Sequence, residues 1–149
     1  RDSSTSRGLG DVYKRQVEFR YHGDGPAQAL PQYRIAALPE GYTETERAAS
    51  YAAGDVKYTN ADGDMILLSY LYMSDGVVSG FELDNGDTMT DTQVNGIPAT
   101  LIVSSMEGNF SSVTWRDTAS NIEFTLAAVA DESVIIAMAE SVSLCNSTN

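Results

Sequence analysis

Two short acidic stretches hold the residue types and spacings most suggestive of chemistry. "NADGD" (Asn60 to Asp64) and "DNGD" (Asp84 to Asp87) each crowd several side-chain oxygens into a few positions, which is what a calcium ion requires. An EF-hand loop, however, needs glycine directly after its third ligand and a glutamate further on. Met65 follows Asp64 instead, so that pattern fails. Asp, Asn and Gly in such stretches are also what tight-turn stereochemistry selects. No metal ligand and no cofactor is assigned.

The remaining candidates are scattered. His22, the only histidine, lies beside Gly23 with no nucleophile and carboxylate pattern near it, whereas a catalytic histidine works as part of such a set. Cys145 is the only cysteine, so it cannot form an internal disulfide, and more than a hundred residues separate it from His22, which argues against a His/Cys metal site. Carboxylate pairs of the glycosidase kind are conceivable among so many acids, but that abundance removes all specificity. No phosphate loop, nucleophile elbow or HExxH motif is present. No catalytic residue is assigned. The aromatics Tyr70, Tyr72, Trp115 and Phe124 would suit a ligand groove, and they equally suit core and cross-strand pairs. Tyr70, Tyr72 and Trp115 are the residues to expect at a binding surface if these side chains form one.

Charge narrows the partners. The chain carries 9 basic and 21 acidic residues, a net charge of −12. Four of the basic and two of the acidic residues lie in the first sixteen, so residues 17–149 hold five basic and nineteen acidic ones, net −14. An acidic surface repels phosphate backbones, and nucleic acid is excluded as a partner. Apolar content of 42% is that of a globular chain, and 149 residues make one domain. No apolar run reaches the roughly eighteen residues of a membrane span, and the N-terminal stretch has no signal-peptide core.

The elements that must position these residues read mostly as strands. "VEFRY" alternates, "GDGPAQALP" is a loop, and "QYRIAAL" is strand-like until Pro39 and Gly41 stop it. Asp62-Gly63 between Val56–Thr59 and Met65–Met73 suggests a type I′ hairpin or a close relative of it, and Asn95-Gly96 signals another hairpin. Met65 to Tyr72 is apolar on both faces except at Ser69, which predicts a central strand covered on each side. Ile122, Phe124 and Leu126 alternate with Glu123 and Thr125 as in a half-buried strand. The one good helix comes last, with Asp131 as N-cap and Ile135, Met138 and Val142 on one face. The expected fold is α+β, an antiparallel meander of about six to eight strands with one C-terminal helix packed across it.

Five motifs in order, "YRIAALPEGY", "YTNADGDMILLSY", "VNGIPATLI", "VTWRD" and "AMAESV", resemble the domain-of-unknown-function family 4367 over residues 32–142. The resemblance implies an extracytoplasmic domain of a membrane-anchored protein of the Firmicutes, with no catalytic residue to carry over. The implied function is a non-enzymatic sensory or binding domain for an unidentified protein or cell-envelope ligand, reaching the membrane only through an N-terminal anchor upstream of this chain. A small carboxylate-dependent hydrolase and a purely structural spacer are the alternatives. The opening "RDSSTSRGLGDVYKRQ" resembles a translated sequencing adapter with a transposase mosaic end, as in metagenomic libraries. Residues 1–16 are therefore expected to be an artefact without a packed role, and residues 17–149 a single domain truncated at its N-terminus.

Overall fold

The computed structural model describes residues 15–20, 30–74 and 78–145, with residues 15–20 and 78–82 described by their backbone alone. His22 and residues 1–14 of the opening segment lie outside the described residues. The first strand, β1 (Arg15–Arg20), begins two residues inside that segment. It pairs antiparallel with β6 (Val78–Leu83), Arg15 opposite Leu83. The ladder runs the full length of both strands, so Arg15 and Gln16 share in the backbone pairing.

The body is an antiparallel sheet of seven strands. In spatial order these are β3 (Thr43–Ala49), β4 (Ala53–Thr59), β5 (Met65–Tyr72), β10 (Ile122–Ala128), β9 (Ser111–Asp117), β8 (Ile97–Val103) and β7 (Thr88–Val94). Two meanders, β3-β4-β5 and β7-β8-β9-β10, meet where β10 pairs with β5. The α+β reading holds, with a detour: the chain leaves the sheet at Tyr72, forms β6, and returns on the far edge at Thr88.

Turn chemistry sets the hairpins. Asn95 and Gly96 both take positive φ, 52° and 83°, and join Val94 to Ile97 by the expected two-residue connection; a type I′ turn requires that sign at both positions. The β4–β5 turn is a relative of the two-residue type I′ hairpin and not that turn itself. Asn60 N–H reaches the Asp64 carbonyl, and Gly63 N–H reaches the Asn60 carbonyl. Only Gly63 has positive φ, so the loop is three residues long, a type I turn closed by a left-handed glycine. Asn60 accounts for the longer loop, because its side-chain oxygen accepts from both Asp62 N–H and Asp64 N–H, 3.0 Å each.

One face of the sheet is the core. Val56, Tyr58, Ile66, Leu68, Tyr70 and Leu126 point into it, all at most 2% exposed. The helix α1 (Glu132–Glu140) lies over β7, β9 and β10 on Ile135, Met138 and Ala139. Asp131 occupies the N-cap position, but its carbonyl rather than its side chain accepts the first helical N–H groups. The helix is shorter than the apolar spacing suggests. Ser141 closes it by donating its hydroxyl to the Met138 carbonyl, and that same hydroxyl accepts the N–H of Ala37. Val142 therefore leaves the helical stripe and joins β11 (Val142–Leu144), which pairs with β2 (Tyr33–Ile35).

The other face is polar and half-buried. Register places Asp55, Ser69, Thr125, Thr114, Thr100 and Asp91 in one row across the sheet. On β5 the burial alternates strictly, so that strand is sealed on one face and only partly covered on the other. Glu123 is 3% exposed and pairs with Arg116 at 3.1 Å. Its burial departs from the half-buried pattern of its strand; the opposing guanidinium on β9 is what makes a carboxylate tolerable there.

Candidate functional site

The acidic turns spend their oxygens on their own geometry. Asn60 Nδ2 donates to Asp64 Oδ2 at 3.2 Å, while Asn60 Oδ1 holds two backbone N–H groups. Asp87 accepts from the N–H of Asp84 and of Ser105, both at 2.9 Å, and the Ser105 bond chiefly holds its carboxyl below the usual range. These bonds lock turn tips that stand in solvent. Among the described residues, no three His, Cys, Asp or Glu side chains gather as a metal ion would need.

The aromatics Tyr70, Tyr72, Trp115 and Phe124 are all buried. Trp115 stacks on Phe124 with centroids 5.1 Å apart, and Tyr33 meets both Phe124 and Tyr70 edge-on, at 4.9 and 5.2 Å. Alternation along β5, β9 and β10 points all four into the face that α1, β2 and β11 cover, so they pack the interior instead of lining a groove. Two tyrosine hydroxyls on this face have structural work: Ile35 N–H donates to Tyr58 at 2.9 Å and Tyr33 N–H to Tyr70 at 3.2 Å. Burial raises the phenols of Tyr33 and Tyr58 above the ordinary value. Two tyrosines from the sheet thus hold a short strand that, among the described residues, has only β11 as a ladder partner.

Arg47 reinforces that seam. It grips Glu44 with two bonds, 2.8 and 2.9 Å, and donates to the Tyr33 carbonyl at 3.0 Å. The hydrogen bond from Arg47 draws the Glu44 carboxyl below its usual value, and Glu44 raises the guanidinium in turn. Cys145, partly exposed, ends the same seam and donates its N–H to the Gln32 carbonyl.

Two grooves remain. One, of about 520 Å³, lies over β3, β4 and β5 and brings Glu46 and Asp55 to its walls beside Lys57, Leu67 and Ser69. Glu46 and Asp55 are the carboxylates this groove could offer to a paired mechanism. A general acid needs desolvation to keep its proton near neutral pH, whereas the Glu46 side chain is 71% exposed and bonded to Lys57 at 3.3 Å. Asp55 is exposed too and accepts the Ser69 hydroxyl at 2.8 Å. The second groove, about 610 Å³, runs between β7 and α1, lined by Thr92, Asp131, Glu132, Ile136, Ala137 and Glu140. Its helix side follows the i, i+4 spacing of Glu132, Ile136 and Glu140, with the two carboxylates exposed and Ile136 partly buried against the core. No sequence motif marked it, because its two walls are thirty or more residues apart in the chain.

The family model described as "Domain of unknown function (DUF4367)" matches residues 32–142. The chain belongs to this family. The family span opens next to β2 and closes on the first residue of β11, so its two ends lie side by side in the β2–β11 ladder. It contains the whole seven-stranded sheet, α1 and both grooves, and it leaves β1 outside. No curated protein and no solved structure matches the chain.

Proposed function

We propose that this domain is a non-enzymatic, extracytoplasmic sensory or partner-binding module of a membrane-anchored bacterial protein. One observation carries the binding part: the groove between β7 and α1 has exposed carboxylates on its walls and an apolar floor at Ile136 and Ala137. Solvated charges around an apolar strip suit recognition, while proton transfer calls for desolvated ones. The strongly acidic surface supports a partner of opposite charge and opposes nucleic acid. The extracytoplasmic placement rests on the family resemblance.

Titration calorimetry of the full chain against peptides, cell-wall fragments and divalent cations tests the binding claim. Saturable binding to one class supports it; silence across all three overturns it in favour of a spacer. A topology reporter fused after Asn149 and expressed in a bacterial host from the domain's own gene tests location. A reporter active only in the cytoplasm would sink that part.

A further inference from the structure

The two edges of the seven-stranded sheet are not alike. At one edge, β3 carries Glu44, Glu46 and Arg47, and its register slips between Glu44 and Glu46. Charges and bulges of this kind are how natural sheets discourage a further strand. At the other edge, β7 reads TMTDTQV: a seven-residue ladder with β8, no slip, no proline, no lysine and one charge, Asp91. Among the described residues β7 pairs with β8 alone.

The register identifies which backbone groups face outward. The two-residue turn makes Val94 and Ile97 a hydrogen-bonded pair, and such pairs alternate along an antiparallel ladder. Thr88, Thr90, Thr92 and Val94 therefore bond to β8. Met89, Asp91 and Gln93 turn their N–H and C=O groups to the open side. Pro98 stands opposite Gln93, at a position whose missing N–H the β7–β8 ladder does not use.

Resting on the partner-binding reading above, we infer that β7 is a strand-addition site for an extended basic segment of another polypeptide, seated beside α1. The backbone of Met89, Asp91 and Gln93 would supply the ladder. Alternate side chains of the guest would fall into the groove, where Ile136 and Ala137 offer apolar contact and Asp131, Glu132 and Glu140 offer negative charge. Asp91 presents a further carboxylate on the opposite face, so lysine or arginine fits on both sides of the guest strand. A second copy of this chain fits poorly. Two-fold pairing centred on β7 sets Asp91 against Asp91, between chains that each carry −12.

The probe is a peptide of about seven residues alternating lysine and valine, matched to the length of β7. Titrated into the isotopically labelled full chain, it should shift and protect the amides of Met89, Asp91 and Gln93, with affinity falling as salt rises. Asp91→Pro removes an outward donor without touching a β8 bond, and should abolish binding while leaving the urea midpoint close to wild type. Asp91→Asn keeps the donor and should weaken binding by no more than about tenfold. Three results would overturn the site: peptide shifts confined to other surfaces, undiminished binding by Asp91→Pro, or a dimer in sedimentation whose protected amides are those of β7. The first two leave the partner-binding reading standing; only silence across the wider ligand classes removes that.

Discussion

Removing one oxygen atom tests the seam between β2 and the sheet. Tyr58 is 2% exposed and its hydroxyl accepts the N–H of Ile35, itself 2% exposed, at 2.9 Å. In Tyr58→Phe the ring stays and fills nearly the same volume, but the Ile35 N–H loses its acceptor in a place water does not reach. A buried donor left unpaired costs about 1–3 kcal/mol, so a loss of about 2 kcal/mol is expected. For a domain of this size that lowers Tm by about 4–8 °C. Trp115, the single tryptophan, is buried against Phe124 and reports unfolding by fluorescence. Urea denaturation at pH 7 should show a lower midpoint with an unchanged slope. A midpoint within about 0.5 kcal/mol of wild type would refute the reasoning, since it would mean Ile35 N–H finds another acceptor or is not sealed from solvent.

Three further outcomes are expected. Gly54→Ala should destabilise by about 1–3 kcal/mol through overpacking, because a β-carbon there would sit 2.6 Å from the Tyr70 ring; urea denaturation reads it, and a neutral result would show that the buried ring can move aside. Gly96→Ala should lose about 1 kcal/mol from backbone conformation alone, since its φ is 83° and a β-carbon meets no atom within 4 Å; equal stability in thermal melts would contradict this. Stability should hold up to about pH 10 and fall above it: the raised phenols of Tyr33 and Tyr58 keep their protons in the fold while the unfolded chain releases them near 10.0. At the acid end, the lowered carboxyls of Glu44 and Asp87 contribute stability above 4.5 and 3.8, lost as pH falls through their folded values. Urea midpoints measured from pH 2 to 11 check both limbs, and a profile flat above pH 10 would count against the tyrosine seam.

Local chemistry in the sequence was enough for most of the strands, though not β3 or β11, and for the Asn95-Gly96 turn and the presence of one late helix. Each follows from side-chain alternation or from a residue that tolerates positive φ, and neither depends on distant parts of the chain. The helix end was not legible, because Ser141 stops it by bonding to Ala37, a residue more than a hundred positions away. The longer β4–β5 loop hinged on one side chain, Asn60, choosing two backbone partners over solvent.

Composition alone established that the chain is acidic and has a globular apolar content. It also made Tyr70, Tyr72 and Trp115 look available for a ligand. Only the tertiary structure decided that α1, β2 and β11 close over them, because which face of a sheet is covered depends on where the chain returns. The same holds for β7. Its sequence, TMTDTQV, reads as an ordinary polar strand, and nothing in those seven residues says that one of its sides is left without a neighbouring strand. Strand order is a non-local quantity, set by β5 pairing with β10 across some fifty residues of chain, and it is this pairing that leaves Met89, Asp91 and Gln93 on the outside.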